Sequence, residues 1–518
     1  MSAAIATIAT VFISFVSLSI WKVYLKPFFF SALRSLPEPE GGKLFSGHAK
    51  LLPNERSGMP LQEWINEVPN NGLIRYRMWF NKEVVFVTSP KALSEVLVLK
   101  NYDFSKPYKL RQGLGRILGV GLIIAEGEEH KKQRKMLMPA FSHRHVKDLY
   151  PIFWEKAALL AKELEREIKR DPEESSKVFD VADWLARTTL DILGAAGFGR
   201  EFDTLHHPDN EIVTAYQNVF ELKPPKGIFG ILIFIARQQI MNLLNIKRND
   251  SIAAATEVLT GVARRLIEDK KSEKEHHHSE DASNGESDRD IISVALDSGS
   301  FTDTMLENHL LTFLAAGHET TATSMTWAMY ALCLYPTVQK RLREEVRARL
   351  PFGANASAEM LLVTAELVDS LPYLHAVCNE VFRIYPPAGL TRRVSVKDTT
   401  IAEQHIPKGT VVVISPRAIN VSKQLWGDDA TVFNPDRWMG SLQANSGGGL
   451  TNFSFMTFLH GPRSCIGQGF ARGEFACLLA ALVGTFEMEL EDKDSDIVIE
   501  TGLTSRPQGG LRLRLRPV

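Results

Sequence analysis

The ten residues Phe458-Leu459-His460-Gly461-Pro462-Arg463-Ser464-Cys465-Ile466-Gly467 constrain this chain more than any other stretch. They set a single cysteine in a glycine-punctuated loop that runs into a helical pattern over residues 466–479. A thiol at a helix N-terminus is drawn toward the thiolate by unpaired backbone N–H groups and the helix dipole. Gly461 and Gly467 let the backbone approach something large and flat, and Arg463 is placed to meet an anion. No His–Asp pairing in the sequence makes this cysteine a nucleophile, so a metal ligand is the better-founded role. The other cysteines, Cys333, Cys378 and Cys477, form no CxxC pair and no disulfide framework. Cys333 and Cys378 lie in apolar helical stretches and read as small core side chains. That usage suits a reducing compartment.

The N-terminus carries a second constraint. Residues 3–20 form an uncharged, mostly apolar run of 18 residues, moderated by Thr7, Thr10, Ser14, Ser17 and Ser19. This length is near the minimum for a membrane-spanning helix. Lys22, Lys26 and Arg34 follow it, and only Met1 and Ser2 precede it. The positive-inside rule then puts the bulk of the chain in the cytosol, with the endoplasmic reticulum as the expected membrane. A cleaved signal peptide is the alternative reading, but it lacks a basic leader and a small-x-small cleavage site. Pro37, Pro39, Gly41 and Gly42 then punctuate a segment that reads as a stiff hinge. The expected organisation is an anchor at 1–25, a hinge at 26–50 and a catalytic domain at 51–518.

The chain has 518 residues, which alone suggests two to four domains. Its formal net charge of −1 gives no global bias toward nucleic acid, so no nucleic-acid partner is expected. Alternating β-branched residues over 74–87, around Asn81-Lys82, predict a β-hairpin. A second strand pair is expected over 400–415, with Pro407-Lys408-Gly409 near its turn. Amphipathic periodicity predicts helices over 150–169, 181–194, 306–335, 338–350 and 374–384. The polar stretch 270–289, with His276-His277-His278, reads as a solvated loop and not a metal site. The ten apolar residues 227–236 leave two readings open: a core helix, or a dip into the membrane surface.

Three further segments bear on the chemistry. Ala316-Gly317-His318-Glu319-Thr320-Thr321 puts an acid and two hydroxyls inside a long apolar helical pattern, where such groups are costly unless partnered. On these residues alone, a helix kink with satisfied polar groups is an equal reading. Glu380-Val381-Phe382-Arg383 pairs opposite charges at i and i+3, and Tyr385-Pro386-Pro387 ends that helix. Gly127 to Lys135 is a basic helix face, of a kind that is usually just solvated.

Taken together, these segments resemble the cytochrome P450 family. Phe458, Gly461, Arg463, Cys465 and Gly467 fit its haem loop, FxxGxRxCxG, at five fixed positions. The resemblance covers roughly residues 36–515. It implies a mainly α fold with a small β-rich subdomain, one large domain behind an N-terminal transmembrane helix. Haem b (iron protoporphyrin IX) is the implied cofactor, with Cys465 as its thiolate ligand. Phe458 is implied to cover the sulfur, and Gly467 to be among the haem-binding residues. Arg463, Arg393, Arg134 and His130 are implied propionate partners. His130 stands where many members have Trp, and its ring N–H can serve as the donor instead. Glu319 and Thr320 correspond to the acid–alcohol pair that delivers protons to dioxygen. Glu380, Arg383 and Arg437, the last within Phe433-Asn434-Pro435-Asp436-Arg437-Trp438, correspond to a bracing network. Lys131, Lys132 and Lys135 become candidates for docking an acidic redox partner.

By position, Leu122, Ile123, Phe313, Ala316, Ala388, Gly389 and Leu390 are expected to face a pocket, with core packing as the competing reading. All are apolar, which suits a lipophilic substrate. The implied activity is hydroxylation or epoxidation of a lipophilic small molecule with dioxygen and NADPH-derived electrons. No flavin motif is present, so a separate NADPH-dependent flavoprotein reductase is expected. The motifs are similar in style to fungal members of secondary metabolism, which ranks a terpenoid or polyketide first. Detoxification or fatty-acid and steroid hydroxylation comes second. A haem-thiolate isomerase needing no reductase, or a non-catalytic haem protein, is a rival that the intact Glu319–Thr320 pair counts against.

Overall fold

The computed structural model describes residues 2–52, 57–170, 175–220, 247–277, 290–297, 299–352, 363–440, 446–494 and 496–518. Its contacts gather into two compact units, Met1–Tyr108 with Phe382–Cys465, and Lys109–Val381 with Ile466–Val518.

The first unit is built on a five-stranded sheet in the order Leu73–Arg77, Glu83–Val87, Val411–Ile414, Thr391–Ser395, Phe104–Ser105. Val84, Val85, Val87, Val411, Val412, Val413 and Ile414 give it β-branched strands that pack on a pleated, buried surface. The predicted hairpin over 74–87 is present, pairing Leu73 with Val87 through Arg77 with Glu83. Its tip, Trp79–Asn81, holds Phe80 and Asn81 at φ of 60° and 52°. The strand pair expected over 400–415 is placed differently. Thr399–Ile401 pairs with Gln404–Ile406 across Ala402 and Glu403, both at positive φ. Pro407-Lys408-Gly409 instead leads into Val411–Ile414 of the large sheet. Two-residue turns need left-handed backbone, usually announced by Asn or Gly. Ala402-Glu403 carries no such signal, whereas Pro407 and Gly409 mimic one.

The N-terminal helix Ser2–Ile20 continues as wider helical turns over Trp21–Phe30. The apolar window Ile5–Phe30 is 26 residues long, enough to cross a membrane. The segment expected to act as a hinge is tied to the sheet. Pro37 O accepts from the Arg75 amide at 2.9 Å, and the Glu38 carboxylate meets Arg75 at 3.2 Å and Arg77 at 2.6 Å.

The second unit is helical. Its longest helix is Asp303–Leu334, capped by the Thr302 side chain accepting from the Met305 amide. It packs on Val181–Ile192, while Gln468–Thr485 packs on Tyr150–Lys169 and Pro336–Arg349. These helices, with Pro372–Ile384, fall on the predicted periodic stretches. The reading of 270–289 as a loop is corrected over its first part, since helix Lys247–His277 runs through Lys270. Lys and Glu are good helix formers, so low hydrophobicity there marks an exposed helix face. Residues 278–289, and the apolar stretch 227–236, lie outside the described residues.

Candidate active site

In the first unit the cysteine loop is closed by its own backbone. Cys465 N–H donates to Phe458 O at 2.9 Å, Ser464 N–H to Gly461 O at 3.0 Å, and Leu459 N–H to Met456 O at 2.9 Å. Gly461 has φ of 77°, and a Cβ there would lie 2.1 Å from Leu97 O; only glycine fits this approach. Phe458 lies edge-on to Phe382 at 5.3 Å. Cys465 is exposed. Burial pushes the other thiols up, Cys333 to about 12 and Cys378 and Cys477 likewise upward. Cys465 is thus the sulfur presented for chemistry, and the other three are inert.

Arg463 is buried beside this loop, its guanidinium fixed by Asn101 O at 2.9 Å and Phe104 O at 2.7 Å. Arg393, also buried, donates to Thr391 Oγ1 and Arg392 O, each at 2.9 Å. Arg383 donates to Asn420 O at 2.9 Å and Val432 O at 3.0 Å, and sits 4.9 Å from the Trp426 ring centroid. Arg437 holds Asp429 Oδ2 at 2.8 Å and approaches the same ring at 5.9 Å. The two guanidinium groups therefore brace one segment, 420–432, which the sequence reading did not single out. Glu380 is fully buried on helix Pro372–Ile384. Of the expected pocket residues here, Ala388 is exposed, Leu390 half-buried, and Gly389 buried with its carbonyl accepting from Ser415 Oγ at 2.8 Å.

In the second unit, helix Asp303–Leu334 is buried from His309 to Met329 except at Ala316, Gly317, Glu319 and Thr320. The candidate acid and alcohol thus share the one open patch in that stretch. The helix is continuous through these polar residues. Thr320 Oγ1 donates to Ala316 O at 2.9 Å and Ser324 Oγ to Thr320 O at 2.9 Å. Such back-bonding satisfies hydroxyls inside a helix. The Glu319 carboxylate is held by two residues that sequence reasoning missed, Tyr216 at 2.6 Å and Thr504 at 2.7 Å. They stand 103 and 185 positions away, beyond any local pattern. Glu474 was also missed: it is wholly buried, and desolvation raises its carboxyl well above the ordinary range.

His130 is buried and Arg134 half-buried, one turn apart on helix Gly127–Leu137, with Lys131, Lys132 and Lys135 exposed. Leu122 is buried and Ile123 half-buried. Their loop presses on helix Asp303–Leu334, where a Cβ on Gly121 would lie 2.1 Å from Thr312 Oγ1. Phe313 is buried against Phe141, with ring centroids 5.4 Å apart, which favours the core-packing reading for that residue.

This donor set fits a haem. Among the described residues, no group of three or more His, Cys, Asp or Glu could hold a metal ion alone. A lone exposed thiol instead suits a metal whose remaining ligands belong to a macrocycle. Buried guanidinium groups in the same unit suit that macrocycle's acid groups. A mainly helical fold with this loop defines a haem-thiolate enzyme. The comparisons make the assignment specific. The cytochrome P450 family model matches residues 37–513. Cytochrome P450 monooxygenase sphH of Aspergillus fumigatus is 43% identical over 510 residues, covering 97% of this chain and 92% of its own. Cytochrome P450 monooxygenase FUM15 of Gibberella moniliformis is 39% identical, covering 96% and 91%. Cytochrome P450 monooxygenase ALT8 of Alternaria alternata is 38% identical, covering 96% and 92%. The chain belongs to the cytochrome P450 family and is a haem-dependent monooxygenase. Its chemistry takes iron protoporphyrin IX, dioxygen, a redox partner and a lipophilic substrate.

Proposed function

We propose that this monooxygenase hydroxylates or epoxidises a terpenoid or polyketide in a fungal secondary-metabolite pathway. The fungal monooxygenases it resembles and the apolar character of Leu122, Ile123, Ala316, Ala388 and Leu390 support that reading. Electrons come from a separate NADPH-dependent flavoprotein reductase docked on Lys131, Lys132 and Lys135. Residues 1–25 anchor the chain in the endoplasmic reticulum membrane, 26–50 set its angle, and 51–518 form the catalytic domain facing the cytosol. The apolar helix window Ile5–Phe30, with Lys22 and Lys26 toward its C-terminal end, supports the anchor.

Haem bound at Cys465 supplies the activation of dioxygen. The protein's own part is ligation, screening and protons. Cys465 ligates the iron, Phe458 screens the sulfur from water, and Gly467 is among the haem-binding residues. Arg463, Arg393, Arg134 and His130 hold the propionates. Thr320 would turn its hydroxyl from Ala316 O toward dioxygen, and Glu319 would move protons to it from solvent. Glu380, Arg383 and Arg437 keep the loop rigid. The observation that carries this reading is the single exposed thiol, against three inert ones, in a loop shaped by Gly461. The test is the carbon monoxide difference spectrum of the reduced protein in membranes. A long-wavelength Soret band typical of thiolate ligation is expected, with its loss in Cys465→Ser even where haem is retained. A wild-type spectrum in that variant would remove Cys465 as the ligand.

A further inference from the structure

Three elements converge on one carboxylate. Helix Glu211–Phe220 brings Tyr216, whose phenol donates to Glu319 Oε2 at 2.6 Å. The turn between strands Ile499–Thr501 and Ser505–Pro507 brings Thr504, whose hydroxyl donates to Glu319 Oε1 at 2.7 Å. Thr504 is steadied by Thr323 Oγ1 at 3.1 Å, one turn along helix Asp303–Leu334 from the acid. The Tyr216 ring is itself fixed, 4.3 Å from the ring centroid of His318. The His318 ring is in turn tied to Leu314 O at 2.7 Å. Tyr216, Thr504, Thr323 and His318 are all buried, so water competes little for these bonds.

We infer that Tyr216 and Thr504 are positioning residues that set the orientation of Glu319 and link proton delivery to helix 211–220 and the 499–507 hairpin. The inference rests on the reading of Glu319 as the proton-delivering acid. A glutamate side chain has several rotatable bonds, and an unheld carboxylate samples many orientations. Hydrogen bonds to an ionised acceptor are the strong ones, and here each oxygen has its own donor from a different element. A displacement of either element changes where the carboxylate points. Both donors are neutral hydroxyls, so they direct the carboxylate without the fixed charge of a salt bridge.

The test uses full-length holoenzyme in lipid nanodiscs. The infrared carboxylate stretch of Glu319 is identified by subtracting the spectrum of Glu319→Gln. It is then followed in Tyr216→Phe, Thr504→Val and Thr504→Ser. The band is expected to shift in the first two and to return to the wild-type position in Thr504→Ser, which keeps the donor. In parallel, photoreduced deazaflavin supplies electrons, and the hydrogen peroxide released per electron is measured without added substrate. Tyr216→Phe and Thr504→Val are expected to raise that ratio about two-fold or more, since displaced protons favour peroxide release over full reduction to water. An unmoved band in both variants overturns the positioning role, as does a moved band with unchanged peroxide. Unchanged peroxide in Glu319→Gln instead overturns the reading of Glu319 as the acid, which separates the two failures.

Discussion

His309 shows what helix Asp303–Leu334 tolerates. It is 1% exposed, packed between Phe301 at 5.5 Å and Phe313 at 6.1 Å. Neither ring nitrogen has a hydrogen-bond partner among the described residues. Burial disfavours the imidazolium and lowers its pKa to about 4. The sign follows from linkage. The unfolded chain takes up this proton near pH ~6.5 and the folded chain only near 4, so falling pH favours unfolding. The stability is fully present above pH ~6.5, is lost as pH falls toward 4, and totals on the order of 3 kcal/mol. His309→Leu is therefore expected to melt higher relative to wild type at pH 5 than at pH 7.5; a constant difference in melting temperature would refute this. Thr320→Ala keeps the helix, because it removes only a side chain bonded to its own turn at Ala316 O. It is expected to divert electrons to peroxide without loss of fold, measured as peroxide per NADPH; unchanged coupling would move the proton route elsewhere. At this scale the sequence disclosed chemistry better than partnership. Cys465 stands out as a candidate through its glycine-punctuated loop, and Glu319 and Thr320 through polar groups set in an apolar helical pattern and the family resemblance. Tyr216, Thr504 and Glu474 do not, because each is defined by a contact that tertiary folding creates.

At the scale of elements, the hairpin tip 79–81 and the end of the N-terminal helix form one joint. Asn81 Nδ2 donates to Val23 O at 3.0 Å and to Leu44 O at 2.5 Å, so one side chain ties the helix to the segment after it. Arg77 lies over the Phe28 ring at 4.3 Å, and Arg75 donates to Pro27 O at 2.6 Å. Asn81→Ala removes both Nδ2 bonds and a third that Asn81 Oδ1 accepts from Arg77 Nη1 at 3.0 Å, a loss of about 1–3 kcal/mol. Cleavage after Lys43 by trypsin in intact membranes is expected to quicken several-fold, since the Leu44 carbonyl beside that bond is released, and wild-type cleavage rates would show that the joint does not depend on Asn81. The hairpin itself was readable from its β-branched residues, which suit the buried, pleated strands Leu73–Arg77 and Glu83–Val87. The tip was not, because Phe80 at positive φ goes against its own preference and is held there by surroundings. The same physics hid the Ala402-Glu403 turn. Periodic helices were legible to within a few residues, whereas the end of helix 247–277 was read as a loop because the sequence from Lys270 on carries no apolar stripe.

For the whole molecule, these bonds decide where the proposed anchor can be removed. The helix Ser2–Ile20 is exposed along nearly all of its described side chains and adds nothing to the core. Phe29 and Phe30 are exposed too, but Val23, Pro27 and Phe28 meet Asn81, Arg75 and Arg77. Arg75 is 4% exposed, so losing the Pro27 carbonyl strips one acceptor from a buried guanidinium whose other partners are Glu38 and Glu83. Deleting residues 2–20 is therefore expected to remove membrane affinity at little cost to stability, and deleting 2–30 to open the joint as well. The shorter deletion is expected to leave the membrane pellet for the supernatant at high salt, to bind haem, and to melt at the full-length temperature measured in detergent. The longer deletion is expected to be equally soluble but to melt several degrees lower, with Asn81→Ala costing less in that background than in the full-length chain, because its bond to Val23 O is already gone while those to Leu44 O and Arg77 remain. Equal melting of the two deletions would mean that the bonds to residues 21–30 contribute no net stability, and that the chain after Phe30 carries its own fold without them.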